Sequence, residues 1–271
     1  MQINNIKLVI CDVDGTLIGK DEKLSKKAID LSKKLEKNGY LLTLASGRVE
    51  DMAEDYVKSL GIKIPYIASN GSTIADLEKV YIKKKIKMEG LMDIAKKAIS
   101  LGMSLVYTQD GREFVVNETK WILKQREKFN RYHKMSSLSN EELSKIDIDK
   151  LMIMDEVRDG KIQIIEDMAK KLNGDYSYTR YTDKSVEFVS KDSTKASALI
   201  ELCKILKISM DQVLAIGDHI NDIEMIQEAG IGACVNNGKD ELKKVSDYVS
   251  SFDQIDGVVD ICNKFLNLSR R

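Results

Sequence analysis

Two carboxylates stand two residues apart near the start of the chain, in the stretch Cys11-Asp12-Val13-Asp14-Gly15-Thr16-Leu17. The apolar run 6–10 comes directly before them and predicts a short buried strand. Asp12 and Asp14 would then follow the carboxyl end of a strand, where open α/β sheets bind their ligands. Such oxygen groups can hold a divalent cation and, through it, an anionic substrate. A carboxylate at this position can also act as a nucleophile.

Two other interpretations of the same stretch involve no catalysis. The residues could form an acidic turn, because Asp and Gly both favour turn geometry. They could also begin a calcium loop, but that pattern requires an acidic or amide side chain at Thr16 and a glutamate at Lys23. We therefore favour catalysis over a turn, and a turn over a calcium loop.

The composition excludes several other classes of function. The chain has 271 residues, with 43 lysines plus arginines and 43 aspartates plus glutamates. This balance predicts neither a nucleic acid nor a membrane as partner, and no apolar run approaches the length of a membrane span. The cysteines form no Cys-x-x-Cys pair, which favours reduced thiols and a cytoplasmic protein. They are Cys11, Cys203, Cys234 and Cys262.

Strand and helix patterns alternate in two parts of the chain. Apolar residues at helical spacing between Leu24 and Leu35 follow a candidate N-cap, Ser25. Strand-like runs with short connections then predict a Rossmann-like α/β core around a parallel sheet. These runs are 40–45, 65–68, 213–216 and 231–235, and the predicted helices between them are 49–60, 195–206 and 222–229. After a short strand at 248–249, a last helix is predicted from Val258 onward.

The intervening residues have a different pattern. The spacing predicts helices over 88–101, 118–131 and 162–172, and strands over 151–154, 176–181 and 186–189. Strands at 104–108 and 113–117 flank Asp110-Gly111, a hairpin turn. This mixture predicts an α+β unit inserted into the core. The lysine run 83–85 marks its start and is expected to be a solvated junction.

Polar residues end several of the predicted core strands. Ser46 follows the second strand, Lys195 begins a helix, and Asp218 and Asp222 follow a late strand. Carboxylates gathered at one sheet edge would repel one another unless a cation lay among them. Mg²⁺ suits such an all-oxygen site and can share a phosphate. The serine hydroxyl and the lysine ammonium would then bind phosphoryl oxygens.

These motifs resemble those of the haloacid dehalogenase-like phosphohydrolases, and specifically the Cof-type branch, which carries a large α/β cap. The likeness extends over essentially the whole chain. The matching segments are Asp12-Val13-Asp14-Gly15-Thr16-Leu17, Ala45-Ser46-Gly47-Arg48, Ser69-Asn70-Gly71, Lys195 and Gly217-Asp218-His219-Ile220-Asn221-Asp222. Around the lysine the family's flanking glycines are absent, and Lys191 is a competing candidate. We favour Lys195, because it opens the helical run.

The resemblance implies a two-step reaction. Asp12 attacks phosphorus and becomes an aspartyl phosphate. Asp14 protonates the leaving alcohol and then deprotonates the water that hydrolyses the intermediate. Ser46 and Lys195 stabilise the equatorial oxygens. The Asp12 carboxylate, the Asp14 main-chain carbonyl and Asp218 hold Mg²⁺.

The resemblance assigns supporting roles to further residues. Gly47, Arg48 and Asn221 would bind substrate together with Ser46 and Lys195. Asp222 and Asn70 would lie behind these groups and orient them. Three of them have a simpler interpretation as well: Arg48 as a surface ion-pair residue, Asn70 as a turn former and Asp222 as a favourable charge at a helix start.

We therefore predict a cytoplasmic, Mg²⁺-dependent phosphatase with a core over residues 1–84 and 189–271 and a cap over 85–188. Its partner would be a small phosphorylated metabolite, and the resemblance favours sugar phosphates over nucleotide or cofactor phosphates. A phosphomutase and a catalytically weak, phospholigand-binding regulatory protein are the alternatives. The sequence leaves the oligomeric state open.

Overall fold

The chain divides into two units. The computed structural model describes residues 5–181 and 183–268. Residues Met1–Ile82 and Thr194–Arg271 make up one unit, here called the core unit, and Lys83–Ser193 make up the other, the inserted unit. The limits expected from the sequence for the insertion, 85 and 188, fall a few residues inside these.

Helices and strands are numbered in chain order. The first segment of the core unit leads into the insertion through β1 Leu8–Cys11, α1 Lys26–Lys37, β2 Leu41–Leu44, α2 Glu50–Leu60, β3 Tyr66–Ala68, β4 Thr73–Ala75 and β5 Val80–Lys83. The inserted unit continues with β6 Ile86–Lys87, α3 Met92–Ser100, β7 Ser104–Gln109, β8 Arg112–Asn117, α4 Lys120–Phe129, α5 Asn140–Ser144, β9 Asp147–Ile148, β10 Lys150–Met154, α6 Ile162–Ala169, β11 Tyr176–Tyr181 and β12 Ser185–Ser190. The chain ends with α7 Lys195–Leu206, β13 Val213–Gly217, α8 Ile223–Glu228, β14 Ile231–Cys234, α9 Asp240–Val245, β15 Tyr248–Val249 and α10 Gln254–Phe265.

A five-stranded parallel sheet forms the centre of the core unit, in the order β15-β14-β13-β1-β2. The two strands at its centre, β1 and β13, are buried along their whole length, which explains why they read as continuous apolar runs in the sequence. Along β1, Leu8 and Ile10 pack on one side and Val9 and Cys11 on the other. The α/β fold with a parallel sheet is therefore confirmed.

Helices cover both faces of this sheet. On the Val9 side lie α1, α2 and α10, and on the Leu8 side lie α7, α8 and α9. Ser25 caps α1 as expected, because its hydroxyl oxygen accepts the Ala28 N–H at 3.3 Å. Gly61 ends α2 in the left-handed conformation. The helices cover the two faces of the sheet, and the polar residues predicted for the site follow the carboxyl ends of its strands.

The inserted unit contains an antiparallel sheet in the order β11-β12-β10-β7-β8. Residues of α3 and α6 pack on one face of it and close a hydrophobic core of their own. This is the α+β unit expected from the sequence. No helix within residues 5–181 and 183–268 is both long and apolar enough to cross a membrane.

The structure differs from the sequence-based elements in several places. The helix expected over 88–101 is a 3-10 turn, Met88–Leu91, followed by α3. Gly90 lies in that turn, and a Cβ there would come 2.1 Å from the Tyr176 hydroxyl. The short strands β4 and β5 were missed, and α10 begins before Val258.

The lysine run at the junction is also bound more closely than a solvated segment would be. Lys83 lies 3.6 Å from the buried carboxylate of Asp149, and its side chain is 16% exposed. Lys85 pairs with Asp110 at 2.7 Å. The run therefore anchors the first residues of the inserted unit to the rest of that unit.

Packing in the core unit leads to a stability prediction. Leu35 of α1 is 0% exposed, so Leu35→Ala should lower the free energy of unfolding by about 2–5 kcal/mol, through lost burial and the cavity left behind. Leu77→Ala, at a side chain that is 45% exposed, is the control and should cost less than about 1 kcal/mol. Urea denaturation measures both, and equal losses would contradict the assigned packing.

Candidate active site

Asp12, Asp218 and Lys195 lie close together, because two of them follow paired strands and the third begins a helix. Asp12 follows β1 and Asp218 follows β13, and these strands are neighbours in the sheet. The Asp12 N–H donates to the Ile216 carbonyl at 2.9 Å, which extends the pairing to the carboxylate itself. Lys195 is the first residue of α7, whose N-cap Thr194 accepts the Ser197 N–H. The three side chains therefore converge at the carboxyl edge of the sheet.

The ammonium group of Lys195 lies between two carboxylates. Its Nζ donates to Asp12 Oδ1 at 2.5 Å and to Asp222 Oδ1 at 2.6 Å. The lysine is 1% exposed and Asp222 is 0% exposed. Burial alone would lower the pKa of Lys195, but the charges of Asp12 and Asp222 outweigh it and raise that pKa. The lysine therefore stays charged, as the predicted phosphate-binding role requires. Lys191, the competing candidate, belongs to the inserted unit, where its backbone N–H donates to the Asp175 carbonyl.

Asp222 holds the loop that presents Asp218. While its Oδ1 accepts from Lys195, its Oδ2 accepts the N–H groups of Asp218 and His219 at 3.0 and 2.9 Å. A Cβ on Gly217 would come 2.5 Å from Asp222 Oδ2, so the close approach needs glycine there. Asp222 thus orients its neighbours from behind, in the position that the sequence suggested.

Asp12, Asp218 and Asp222 form a cluster whose ligand atoms lie within 4.8 Å of one another. Three carboxylates and one lysine ammonium carry a formal charge of −3 + 1 = −2, and burial makes this charge costly. Burial, followed by the charge of Asp222, raises the pKa of Asp218 to about 6. Burial likewise raises the pKa of Asp12, although Lys195 opposes the rise. A divalent cation would relieve this repulsion, so the oxygen donors fit Mg²⁺.

The loop after β1 is fitted closely against Asp218. The Thr16 hydroxyl donates to Asp218 Oδ1 at 2.9 Å. A Cβ on Gly15 would come 2.3 Å from Asp218 Oδ2, and the φ angle of Gly15 is +92°. Both the approach and the backbone conformation therefore require glycine. Asn237 fixes the same loop from another side, because its Nδ2 donates to the Gly15 carbonyl at 2.8 Å.

A second group of predicted residues forms around Asn70. Its N–H donates to the Ser46 carbonyl at 3.0 Å, and its side-chain Oδ1 accepts from Asn221 Nδ2 at 2.9 Å. The side-chain hydroxyl oxygen of Ser46 accepts the backbone N–H of Arg48 at 3.1 Å. A Cβ on Gly47 would come 3.1 Å from the Asn70 side chain. Asn70 therefore ties together the loops that follow β2, β3 and β13.

Asp14 is bound differently from Asp12. Its side chain is 50% exposed, and Arg48 donates hydrogen bonds to both carboxylate oxygens. Nε donates to Oδ2 at 2.8 Å and Nη2 donates to Oδ1 at 2.6 Å. Arg48 also reaches Glu22 Oε2 at 3.3 Å and stacks on the Tyr56 ring. Burial would lower the pKa of Arg48, but the hydrogen bonds and charge of Asp14 raise it. The predicted general acid/base is thus held by the residue that we expected to bind substrate.

Sequence reasoning missed four of these partners. They are Thr16, Glu22, Tyr56 and Asn237. Thr16 lies within Asp12-Val13-Asp14-Gly15-Thr16-Leu17, and its position in that motif could have identified it as a site residue. Asn237 comes just after the predicted strand 231–235, so its place at a strand end was the available signal. Glu22 and Tyr56 had no signal, because only the folded chain brings them to Arg48.

Comparison with known proteins finds relatives that match most of the chain. A family profile described as haloacid dehalogenase-like hydrolase matches residues 9–261. The chain is 26% identical over 261 residues to the 5-amino-6-(5-phospho-D-ribitylamino)uracil phosphatase of Bacillus subtilis, covering 94% of this chain and 93% of that protein. It is 27% identical to a phosphoglycolate phosphatase of Thermoplasma volcanium, with coverages of 96% and 98%. The solved structure of a subclass IIB sugar phosphatase of this superfamily shares the fold, with a TM-score of 0.82, 20% identity and coverages of 96% and 98%.

The fold and the site define a phosphatase with a Rossmann-like core and an inserted α+β unit. The chain belongs to the haloacid dehalogenase-like hydrolase family. The resemblance stated from the motifs is therefore confirmed for family, fold and enzyme class.

The fit of Gly15 against Asp218 leads to a second prediction. Gly15→Ala should weaken Mg²⁺ binding at least tenfold, because the new Cβ displaces the Asp218 carboxylate. Gly39→Ala is a matched control: Gly39 also has a positive φ, +81°, but a Cβ there meets nothing within 4 Å. Calorimetric titration with Mg²⁺ measures both variants. Equal affinities in the two would show that the Gly15 contact does not matter.

The raised pKa of Asp218 leads to a third prediction. A carboxylate must lose its proton before it binds a cation. Since burial raises this pKa to about 6, Mg²⁺ affinity should be full above about pH 6 and fall roughly tenfold per unit below it. Calorimetry across this range provides the measurement. An affinity that stays constant down to about pH 5 would contradict the assignment.

Proposed function

We propose that this protein is a Mg²⁺-dependent phosphatase of small phosphomonoesters that works through an aspartyl phosphate on Asp12. The observation that carries the proposal is the setting of that carboxylate. Asp12 is 5% exposed at the end of β1, bonded to the Lys195 ammonium and grouped with Asp218. A buried carboxylate is a useful nucleophile only if it is ionised; the lysine opposes the rise in the pKa of Asp12 that burial causes, and bound Mg²⁺ would oppose it further.

Asp12 would attack the phosphorus with Oδ2, since Lys195 occupies Oδ1. The same ammonium would interact with a phosphoryl oxygen as negative charge develops in the transition state. The Ser46 oxygen already accepts a backbone N–H, which leaves its proton to donate to another phosphoryl oxygen. Gly47 and Asn221, joined through Asn70, would complete the binding of the phosphate group.

Asp14 would serve as general acid and base. To protonate the leaving alcohol it must carry a proton and reach the substrate, whereas Arg48 donates to both of its oxygens in this structure. The role therefore requires the Asp14 side chain to leave Arg48 and to contact the leaving-group oxygen of the substrate during turnover. Arg48, released in the same step, would be able to bind the ester, as expected from the resemblance.

Asp12, Asp218 and the main-chain carbonyl of Asp14 would hold Mg²⁺. Asp222 would not, because Lys195 and two backbone N–H groups already occupy its oxygens. When bound, Mg²⁺ supplies positive charge that offsets the repulsion between an anionic ester and the carboxylates. Haloacid dehalogenase-like phosphatases generally use this ion, which agrees with the donor set.

Sugar phosphates are the proposed substrates, with nucleotide and cofactor phosphates next. Two relatives are named for small phosphoesters, one of which carries its phosphate on a ribityl chain. The inserted unit is proposed to act as the cap that contacts the leaving group. A cytoplasmic location agrees with the four cysteines, all of which are free and buried.

Replacement of the nucleophile tests the proposal. Asp12→Asn should reduce phosphate release by roughly 10³-fold or more, because an amide cannot attack phosphorus as a carboxylate does. The fold should persist, since Asp222 still pairs with Lys195. Phosphate release is measured over sugar phosphates, nucleotides and cofactor phosphates, with and without Mg²⁺.

The matched control for this test is Asp21→Asn, at an exposed aspartate of the same segment. It should leave turnover unchanged. An Asp12→Asn protein with activity within tenfold of the wild type would remove Asp12 from the reaction, and Mg²⁺-independent release would remove the metal.

A further inference from the structure

Arg48 contacts two acidic side chains of the core unit at once, on two different edges of its guanidinium group. Asp14 accepts hydrogen bonds from Nε and Nη2 at 2.8 and 2.6 Å. Glu22 Oε2 lies 3.3 Å from Nη1 and 3.3 Å from Nη2. A guanidinium group has five N–H donors in one plane, so both carboxylates can be bound together. Glu22 therefore binds Arg48 without displacing Asp14.

The Arg48 side chain is shielded from water far more than either of its acidic partners. It is 10% exposed, compared with 31% for Glu22 and 50% for Asp14. A buried cation that loses its carboxylate is strongly destabilised, because water does not reach it to replace the lost interaction. If Asp14 were the sole acidic partner, its departure would leave Arg48 in that state. With Glu22 in place, Arg48 keeps one carboxylate whether or not Asp14 is bound.

The backbone of Glu22 adopts a conformation that is unusual for glutamate. Its φ angle is +57°, in the left-handed region where glycine, asparagine and aspartate are favoured. Two hydrogen bonds fix this conformation. The Glu22 N–H donates to the Gly19 carbonyl at 3.1 Å, and the Tyr56 hydroxyl donates to the Glu22 carbonyl at 3.0 Å. Glycine would adopt the same conformation with less strain, so the turn itself does not account for a glutamate here.

Tyr56 contacts both Arg48 and Glu22. Its hydroxyl holds the Glu22 backbone, and its ring lies against the guanidinium group, whose central carbon is 5.1 Å from the ring centroid. An aromatic face attracts a cation at this distance. These contacts fix the Glu22 carboxylate and the guanidinium group relative to each other, and none of them involves Asp14. We call Glu22 and Tyr56 the Arg48 anchor.

We propose that Glu22 is a positioning residue, which holds Arg48 in place while the Nε–Nη2 edge of the guanidinium passes from Asp14 to the phosphoester. This inference rests on the proposed phosphatase function and adds a residue to it. Before substrate binds, Arg48 contacts both carboxylates. When Asp14 turns toward the leaving-group oxygen, Arg48 stays on the Arg48 anchor and its Nε–Nη2 edge becomes available to the anionic ester. Glu22 itself contacts no reacting atom.

The variant Glu22→Gln tests this role during turnover. The amide keeps the shape of the side chain but not its charge, so the release of Asp14 from Arg48 becomes more costly. We expect kcat for an alkyl phosphoester that the enzyme turns over, such as glucose 6-phosphate, to fall about tenfold. The matched control is Glu36→Gln, at a glutamate that is 61% exposed and pairs with Lys63. Its kcat should stay within about twofold of the wild type.

A second background shows whether the loss passes through Arg48. In Arg48→Met there is no guanidinium group for Glu22 to hold, so adding Glu22→Gln should change kcat by less than about twofold. An equal loss in both backgrounds would mean that Glu22 acts on the structure in general, and the inference would be overturned. A wild-type kcat in Glu22→Gln would overturn it too, while the phosphatase function would stand.

Thermal unfolding tests the change of partners without any turnover. Asp14→Ala imitates the departure of Asp14 and leaves Arg48 with Glu22. In the double variant Asp14→Ala/Glu22→Gln the buried guanidinium has lost both carboxylates, so Tm should fall by at least about 3 °C more than the sum of the two single shifts. Additive shifts would contradict the inference even in an active phosphatase. If the wild-type protein hydrolyses no ester, a more than additive shift supports Glu22 as the second partner of Arg48, and the failure lies with the proposed function.

Discussion

A buried lysine between two carboxylates is the interaction on which the rest of the site depends. Lys195 donates to Asp12 and Asp222 at 2.5 and 2.6 Å, and all three side chains are nearly inaccessible to water. None of these charges would be stable alone at that depth, because desolvation would neutralise it. Each therefore requires the others, and together they join the first strand of the chain to residues almost two hundred positions later. The arrangement still carries excess negative charge, which gives the site its affinity for a cation.

The close approach of loops to this cluster depends on glycine. Gly15 lies against Asp218, and Gly71 lies against the Thr194 carbonyl at the start of α7, where a Cβ would come within 2.1 Å. Both have positive φ angles, +92° and +96°. Glycine adopts this conformation without the steric cost that a side chain would add. The parallel sheet sets the direction of each loop, and the glycines allow the backbone to pack directly against the charged groups.

The sequence predicted the parallel sheet, the insertion and the family, because long apolar runs and specific motifs report them directly. It also predicted that Asp12, Lys195 and Asp218 would share a site, since neighbouring parallel strands end at one edge. It could not predict that Arg48 would hold Asp14, or that Glu22 and Tyr56 would hold Arg48, because such pairing depends on side-chain directions across distant loops. The strands β4 and β5 are too short to give a periodic signal. The apolar spacing over 88–101 predicted one helix through Gly90, and only the folded chain brings Tyr176 against that glycine.

The central claim is that the Asp12 carboxylate forms a covalent bond to phosphorus. Reductive trapping tests it most directly: the enzyme is mixed with a phosphoester that it turns over, quenched in acid, and treated with borohydride, which reduces an acyl phosphate to an alcohol. Peptide mass spectrometry should then find homoserine in place of aspartate at position 12, and only when substrate was present. An unmodified Asp12 in enzyme quenched during turnover, or reduction at another carboxylate, would contradict the account.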